Sequence, residues 1–249
     1  MANKKIIFKV EYGGLGDHLF YSALPRLLKE QKLADEVYIS DKSNFRNPAI
    51  FDLIWKHNPH LNGIGPDAPT SLTEIHDSKE QKIVNIIFER FGLHSEKEFP
   101  VEVYQELEMP NTLGGKYIDL NYVSFIGAFS FLDKIKVYRQ HPDHIMINPD
   151  KLTSFLFAKC KKIVTKSLLE YAGLIASSSS FITLASGGAT LAAALKKPSV
   201  VYYGYGQSTI FHHGMHRYIQ VGGASLFRRR LARLYNKRNA RRLKRAKNK

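Results

Sequence analysis

Two glycine-rich turns, one near each end of the chain, contain the residue types that bind phosphate groups. The first is Gly13-Gly14-Leu15-Gly16 and the second is Ser186-Gly187-Gly188-Ala189-Thr190. Each turn joins a predicted strand to the start of a predicted helix. Glycine lets a ligand approach the backbone closely, while the first N–H groups and the dipole of a helix favour an anion. We therefore expect an anion site at each turn, with close packing through glycine as the alternative.

The first turn would contribute Gly14 and Gly16 to binding, and the two residues after it add side chains. Asp17 is a candidate general base, which takes the proton of an attacking hydroxyl if its surroundings raise its pKa. The alternative is a helix-capping aspartate, an effect typically of ~1 kcal/mol on stability. His18 is a candidate substrate contact, and the alternative for it is an ordinary histidine on the helix surface.

The second turn would donate backbone and side-chain hydrogen bonds to a diphosphate. The expected contacts are Ser186, Gly187, Gly188 and Thr190. Stabilising a diphosphate leaving group is the main electrostatic task of a site that works without a metal. The alternative is a serine-capped helix that packs closely through its glycines.

A polar loop after the last predicted strand provides further candidates, because ligands bind beyond the carboxyl ends of strands in open α/β sheets. Its candidate contacts are Gln207, Ser208 and Thr209. Three histidines follow, namely His212, His213 and His216. Their spacing places no fourth zinc ligand, and Cys160 is remote in sequence. We expect a phosphate- or sugar-contacting loop with no metal or cofactor, and a plain surface loop is the alternative.

The apolar patterning around these turns indicates an α/β fold. Strands are predicted over 5–11, 36–40, 174–177 and 199–203, and helices over 17–32, 48–57, 79–92, 166–173 and 187–196. Strands that alternate with helices are typical of parallel sheets. Position 19 is leucine, where a dinucleotide fingerprint needs its third glycine, so NAD binding is not expected. The chain has no Gly-Lys-Ser/Thr, and we therefore predict no P-loop.

Composition indicates a folded chain with one strongly basic end. Of the 249 residues, 44% are hydrophobic, and the single cysteine excludes a disulfide within the chain and suits a reducing compartment. Residues 226–249 hold twelve Lys or Arg and no acid, which leaves 25 of the 37 basic residues against 22 acidic ones, a net charge of +3. No signal peptide or membrane span is predicted, so we expect a soluble or peripherally bound cytoplasmic protein.

The sequences around both turns resemble glycosyltransferase family 9, the heptosyltransferases. Gly16-Asp17-His18-Leu19-Phe20-Tyr21-Ser22-Ala23-Leu24-Pro25 is similar to the family's N-terminal glycine–aspartate motif. Ser167–Ile175 resembles the segment that leads to its nucleotide site. Ser186-Gly187 followed by Leu191–Pro198 is similar to its Ser-Gly…Leu-Ala-Ala-Ala-Leu-Gly-Lys-Pro run, and the motifs occur in the family's order.

The resemblance implies a reduced GT-B architecture with two Rossmann-like domains. Acceptor binding is expected in 1–120, nucleotide-sugar binding in 121–225, and a basic helical tail in 226–249. It also implies inverting, metal-independent transfer of a sugar from a nucleotide-diphosphate donor to a glycan or lipid-linked acceptor. In that reaction Asp17 would be the base, with helix capping as its alternative role.

Two positions depart from the family pattern. Ala185 stands where the family has Asp before Ser-Gly, and Thr190 stands where it has His. They favour the alternative of a catalytically degenerate α/β protein. A second resemblance, to α-1,2-fucosyltransferase-like enzymes, rests on Gly13–Gly16 with Phe20 and Ala23, although Asp17-His18 replaces their Asn-Gln.

The basic tail, residues 226–249, has a short apolar stripe. The stripe consists of Phe227, Leu231, Leu234 and Tyr235. A basic amphipathic helix is typical of an anionic membrane surface, while RNA is the alternative partner because Lys and Arg neutralise its phosphates equally well. A lipid-linked acceptor favours the membrane, and we expect the protein to lie peripherally on the inner face of a membrane.

Overall fold

A computed structural model describes residues 4–66, 81–108, 114–121 and 126–222, and these form two α/β units. All pairs of named strands in both units are parallel, as the alternating pattern predicts. In this part of the chain no helix is long and apolar enough to cross a membrane. The predicted tail, 226–249, lies outside the described residues.

The first unit contains a three-stranded sheet with the order β1-β2-β3. Its strands are β1 (Lys5–Phe8), β2 (Glu36–Ser40) and β3 (Gly63–Gly65). Its helices are α1 (Leu15–Leu19), α2 (Leu24–Glu30), α3 (Ala49–Ile54) and α4 (Ile83–Glu89). In register, Lys5 pairs with Glu36 and Tyr38 with Gly63. The first glycine turn lies in the connection between the end of β1 and the start of α1.

The single helix predicted over 17–32 is wrong, because α1 and α2 are separate helices. Pro25 stands in the first turn of α2. A proline lacks the N–H that would continue a preceding helix, but in a first turn that N–H has no helical partner anyway. Residues 20–23 between the two helices form tighter turns, in which the N–H groups of Tyr21 and Ser22 donate to the carbonyls three residues earlier.

The second unit is a six-stranded sheet with the order β6-β5-β4-β7-β8-β9. Its strands are β4 (Lys116–Asp119), β5 (Ile145–Ile147), β6 (Lys162–Ile163), β7 (Ser180–Leu184), β8 (Val200–Gly204) and β9 (Arg217–Val221). This is the doubly wound order of a Rossmann fold, in which ligands bind where the order reverses. Here the order reverses between β4 and β7, and the second glycine turn directly follows β7.

Helices cover both faces of this second sheet. They are α5 (Phe131–Gln140), α6 (Lys151–Leu156), α7 (Leu168–Ser177) and α8 (Gly187–Ala194). Because side chains alternate along a strand, Tyr117 packs into a core shared with the first unit, α7 and α8, whereas Ile118 packs into a second core with α5. Phe157, just after α6, also packs against this second core.

The structure differs from the sequence predictions in the boundary between the two units and in the type of one element. The predicted division at residue 120 separates β4 from its sheet, yet β4 pairs with both β5 and β7, so the second sheet begins at Lys116. The strand predicted over 174–177 is wrong, because α7 continues to Ser177 and the strand is β7. The apolar run there is buried on all sides, and such a run has no period that separates helix from strand.

Candidate active site

The two glycine turns meet face to face, because α1 of the first unit packs on α8 of the second. A Cβ atom added to Gly16 would lie 3.3 Å from the Cα atom of Gly187, and one added to Gly187 would lie 3.0 Å from the amide nitrogen of Gly16. Both distances are shorter than ordinary van der Waals contact, so a side chain on either glycine would push the two turns apart by a few tenths of an ångström. Gly16 and Gly187 bring the N-termini of two helices together from distant parts of the chain.

Asp17 lies in the first turn of α1 and caps it. Its Oδ2 atom accepts a hydrogen bond of 2.9 Å from the backbone N–H of Gly14. A Cβ atom on Gly14 would lie 2.7 Å from that oxygen, so a side chain at this position would have to displace the Asp17 carboxylate. Burial raises the pKa of Asp17 above its ordinary value, against the lowering effects of the Gly14 hydrogen bond and the Arg46 guanidinium. The hydrogen bond to Gly14 fits the capping role of Asp17, and its raised pKa fits the role of a general base.

His18 is not on the helix surface, because its side chain is 0% exposed. Its Nδ1 atom accepts a hydrogen bond of 3.0 Å from the Trp55 indole, which only donates. Nε2 therefore carries the proton and donates to the Asn44 carbonyl at 2.8 Å. The ring also stacks on Phe45, 4.2 Å away. Both nitrogens are bonded within the protein, so the His18 ring has no nitrogen free to contact a substrate.

The N-terminus of α8 offers hydrogen-bond donors that the protein does not use. The backbone N–H groups of Ala189 and Thr190 donate to the Ser186 carbonyl, whereas those of Gly187 and Gly188 have no acceptor among the residues described. Ser186 is the N-cap residue, and its hydroxyl makes no bond to the helix. The first turn contains no acid that would offset the helix dipole. This is the arrangement that binds anions.

The Cβ side of Gly188 and the side chain of Thr190 face the protein interior. A Cβ atom on Gly188 would lie 2.6 Å from the Tyr171 hydroxyl, so Gly188 gives room for that ring. The Thr190 side chain is buried, and its Oγ1 atom lies 3.6 Å from the Cβ position of Gly16. The Thr190 hydroxyl is thus directed at the contact between α1 and α8 and is not an exposed donor.

One residue of the predicted polar loop, Gln207, contacts the chain at the second glycine turn. Gln207 donates from Nε2 to the Ala185 carbonyl at 3.0 Å, while its buried Oε1 atom has no partner in the described part of the chain. Ser208 caps the short 3-10 helix Thr209–Phe211 through a 3.4 Å bond from Ile210 N–H. Thr209 is exposed. Of the three predicted contacts, Gln207 is the one that the structure places against the turn.

A buried polar network at the end of β4 was not predicted. Asp119 accepts hydrogen bonds from the Tyr171 hydroxyl at 2.7 Å and from the Asn121 backbone at 2.9 Å. Lys134 is almost fully buried and bonds to Asp150 at 2.7 Å. Burial raises the pKa of Asp119 above its ordinary value. The signal in the sequence is an acid that ends an apolar strand at the carboxyl edge of the sheet.

The three histidines do not form a metal site. The His213 ring bonds through Nδ1 to Glu98 at 2.7 Å, and His216 bonds to Ala189 and Ser199. His212 stacks on Tyr218 with 3.8 Å between ring centroids. Within the described ranges no group of three His, Cys, Asp or Glu side chains is placed to hold a metal ion. Glu98 belongs to the first unit, so the His213 bond joins the two units.

No protein-family model matches this sequence, and no curated protein matches it. Solved structures do match in fold. The dodecameric iron-containing glycosyltransferase TibC of enterotoxigenic Escherichia coli H10407 is 15% identical, with a TM-score of 0.64 over 97% of this chain and 75% of that one. A glycosyltransferase family 9 protein of Veillonella parvula DSM 2008 is 11% identical, with a TM-score of 0.60 over 88% and 85%.

The ADP-heptose lipopolysaccharide heptosyltransferase II of E. coli is 12% identical, with a TM-score of 0.59 over 96% of this chain and 99% of that one. The chain therefore has the fold of the heptosyltransferases, a GT-B-like arrangement of two Rossmann-like units. The predicted fold class is confirmed, and the resemblance to family 9 is confirmed at the level of structure. At these identities the likeness establishes the fold and no activity.

Proposed function

We propose that this protein is a glycosyltransferase that moves a sugar from a nucleotide-diphosphate donor to a glycan or lipid-linked acceptor. One observation carries the proposal: at the switch point of a Rossmann sheet, the start of α8 has unused N–H groups and lies against Gly16, the residue before a carboxylate of raised pKa on α1. The structure of TibC with bound ADP-D-β-D-heptose makes ADP-sugars the first donors to examine.

The proposed reaction is a single displacement that needs no metal. The acceptor oxygen forms a bond to the anomeric carbon, the bond from that carbon to the diphosphate breaks, and its electron pair leaves with the phosphate. The Asp17 carboxylate takes the acceptor's proton, a role that a raised pKa suits. The N–H groups of Gly187 and Gly188, with the Ser186 hydroxyl, stabilise the charge on the departing diphosphate.

Donor binding is tested by thermal shift with ADP-, GDP- and UDP-sugars, since a ligand at ~100 times its Kd stabilises by ~2.7 kcal/mol. Ser186→Ala should weaken binding by roughly 10–100-fold, the loss of a hydrogen bond to a charged group, without lowering stability. Ser167→Ala is the matched control, because Ser167 caps α7 through a 3.0 Å bond from Glu170 N–H. It should cost about 1 kcal/mol of stability and leave donor affinity intact. Equal donor affinity in both variants would refute the assignment of the turn.

Asp17→Asn separates the two roles of this residue. The amide oxygen can still accept from Gly14, so folding and donor affinity should remain, while turnover falls by about 10²–10⁴-fold if the carboxylate is the base. Asp133 occupies the same capping position on α5, where it accepts from Ser130 N–H at 2.9 Å, and Asp133→Asn is the control. Full turnover in the Asp17 variant would leave capping as its only role.

The alternative function is that of a non-catalytic protein, favoured by Ala185 and Thr190 at positions where family 9 has Asp and His. A chain that binds a nucleotide sugar yet transfers it to no acceptor would support this alternative.

For the tail, 226–249, we propose binding to an anionic membrane surface at the inner face, on the basis of its twelve basic residues. RNA that displaces the protein from anionic vesicles would favour nucleic acid as its partner.

A further inference from the structure

Helix α6 presents its apolar stripe to solvent instead of to the core. Leu152, Phe155 and Leu156 lie on one face of the helix at the i, i+3 and i+4 positions. They are 53%, 79% and 49% exposed, while Thr153 on the opposite side is buried. In a surface helix of a globular protein the apolar stripe normally faces inward. In α6 the apolar stripe faces outward, so this face of the helix is suited to contact an apolar surface outside the protein.

A fourth exposed apolar side chain lies on a segment that is held beside the start of α6. Val164, which follows β6, is 73% exposed. Hydrogen bonds of 2.8 Å link Asn148 and Thr165 in both directions, and they hold the segment after β6 beside the segment that leads into α6. We define the α6 surface as the residues Leu152, Phe155, Leu156 and Val164.

The chain segment that carries the α6 surface is strongly basic. Residues 151–169 contain five lysines and no acid. Exposed members of this set are Lys151, Lys159, Lys161 and Lys166. Of the acids at either end, Asp150 is paired with Lys134 and caps α6, while Glu170 accepts from the Lys166 backbone at 2.6 Å and keeps its charge. The surface therefore combines apolar side chains with a net positive charge.

The α6 surface is also remote from the candidate active site in the fold. β6 is the outer strand of the second sheet, and the end of α6 packs through Phe157 on the core that faces away from the first unit. The glycine turns lie on the opposite face, between α1 and α8. A partner on α6 would leave the contact between the units unchanged.

Charge decides which partner fits. The protein's own tail is basic, and a second copy that docks by the same face would bring lysines against lysines, so both are repelled. An anionic lipid surface attracts the lysines, by about 1 kcal/mol each, and accepts the apolar stripe at its headgroup boundary. We propose that the α6 surface docks on anionic lipid as a second membrane contact, independent of residues 226–249 and of the transferase activity.

The test places an environment-sensitive fluorophore on the full-length chain. Cys160 is the only cysteine, so Cys160→Ser/Phe155→Cys gives one labelling site, and Cys160→Ser/Ile64→Cys gives a control at another exposed apolar position, on β3. With phosphatidylglycerol–phosphatidylcholine vesicles, the label at 155 should shift to the blue and be quenched by nitroxide lipids, while the label at 64 should not change. A silent label at 155 on vesicle-bound protein overturns the proposal, as does a failure of the protein to bind.

A second measurement uses no label and keeps Cys160. Phe155→Ser/Val164→Ser should lower the affinity for the mixed vesicles by about 100-fold, because two apolar side chains no longer leave water. Tyr12→Ser/Ile64→Ser, a matched pair of exposed apolar residues on the first unit, should leave it unchanged. Equal binding to pure phosphatidylcholine would refute the role of charge. A blue shift at 155 without vesicles that grows with protein concentration would show instead that α6 contacts a second copy.

Discussion

Protonation of His18 should destabilise the protein in mild acid by an amount that the structure defines. Burial lowers the pKa of this histidine from the ordinary value of 6.5 to about 4, against the raising effect of its bond to Asn44. Below pH 6.5 the unfolded chain binds a proton that the folded protein does not. Stability therefore falls as the pH drops from 6.5 to 4, by about 3 kcal/mol in total, and is fully present above pH 6.5.

His18→Phe isolates this effect. Phenylalanine keeps a ring against Phe45 but leaves the buried Trp55 N–H without an acceptor, which should cost about 1–3 kcal/mol at pH 8. At pH 4.5 the wild type has lost about 2–3 kcal/mol that the variant never had. The stability difference between the two proteins should therefore shrink by that amount and approach zero or change sign.

Urea unfolding at both pH values measures the difference, with Trp55 as the reporter because it is the single tryptophan and touches His18. Titrations elsewhere in the chain cancel between the two proteins. His94→Phe replaces an exposed histidine and should change stability by less than about 0.5 kcal/mol at either pH. A wild-type advantage over His18→Phe that is the same at pH 8 and pH 4.5 would refute the neutral, buried imidazole.

Two further predictions concern groups that connect distant parts of the chain. Glu98→Gln should lower the unfolding free energy by about 1–3 kcal/mol, since Glu98 accepts from His213 and Gly214. Although burial raises the pKa of Glu98, these bonds leave it below the ordinary 4.5, so the effect should persist above that pH and fade in more acidic urea titrations. Tyr171→Phe should lower the unfolding free energy by about 1–3 kcal/mol, because it removes the hydrogen bond to Asp119. Donor titration should also show weaker binding, because the Tyr171 hydroxyl that packs against Gly188 in the second turn is lost. An unchanged melting temperature and donor affinity would contradict this reading.

Local signals in the sequence predicted much of the fold. The glycine turns, the Ala-rich helix after Ser186 and the strand before Gly204 all lie close to where period and turn residues place them. Each of these signals arises within a few consecutive residues, so a single sequence contains it in full. The break at Pro25 is also a local signal, and the long helix predicted there neglected it.

The environment of the site residues could not be predicted in the same way. His18 meets Trp55 across 37 residues and Asn44 across 26, and Tyr171 meets Asp119 across 52. Whether a polar side chain points inward or outward depends on those partners, and no periodic pattern encodes them. His18 is for this reason a buried structural residue, and Asp119 was not among the expected candidates.

The contact between Gly16 and Gly187 also limits how this sequence can evolve. A methyl group on either glycine would lie 3.0–3.3 Å from the backbone of the other, so a single replacement should shift the two turns apart by a few tenths of an ångström. Substitutions at the two positions should therefore be coupled, because each one changes the space that is available to the other.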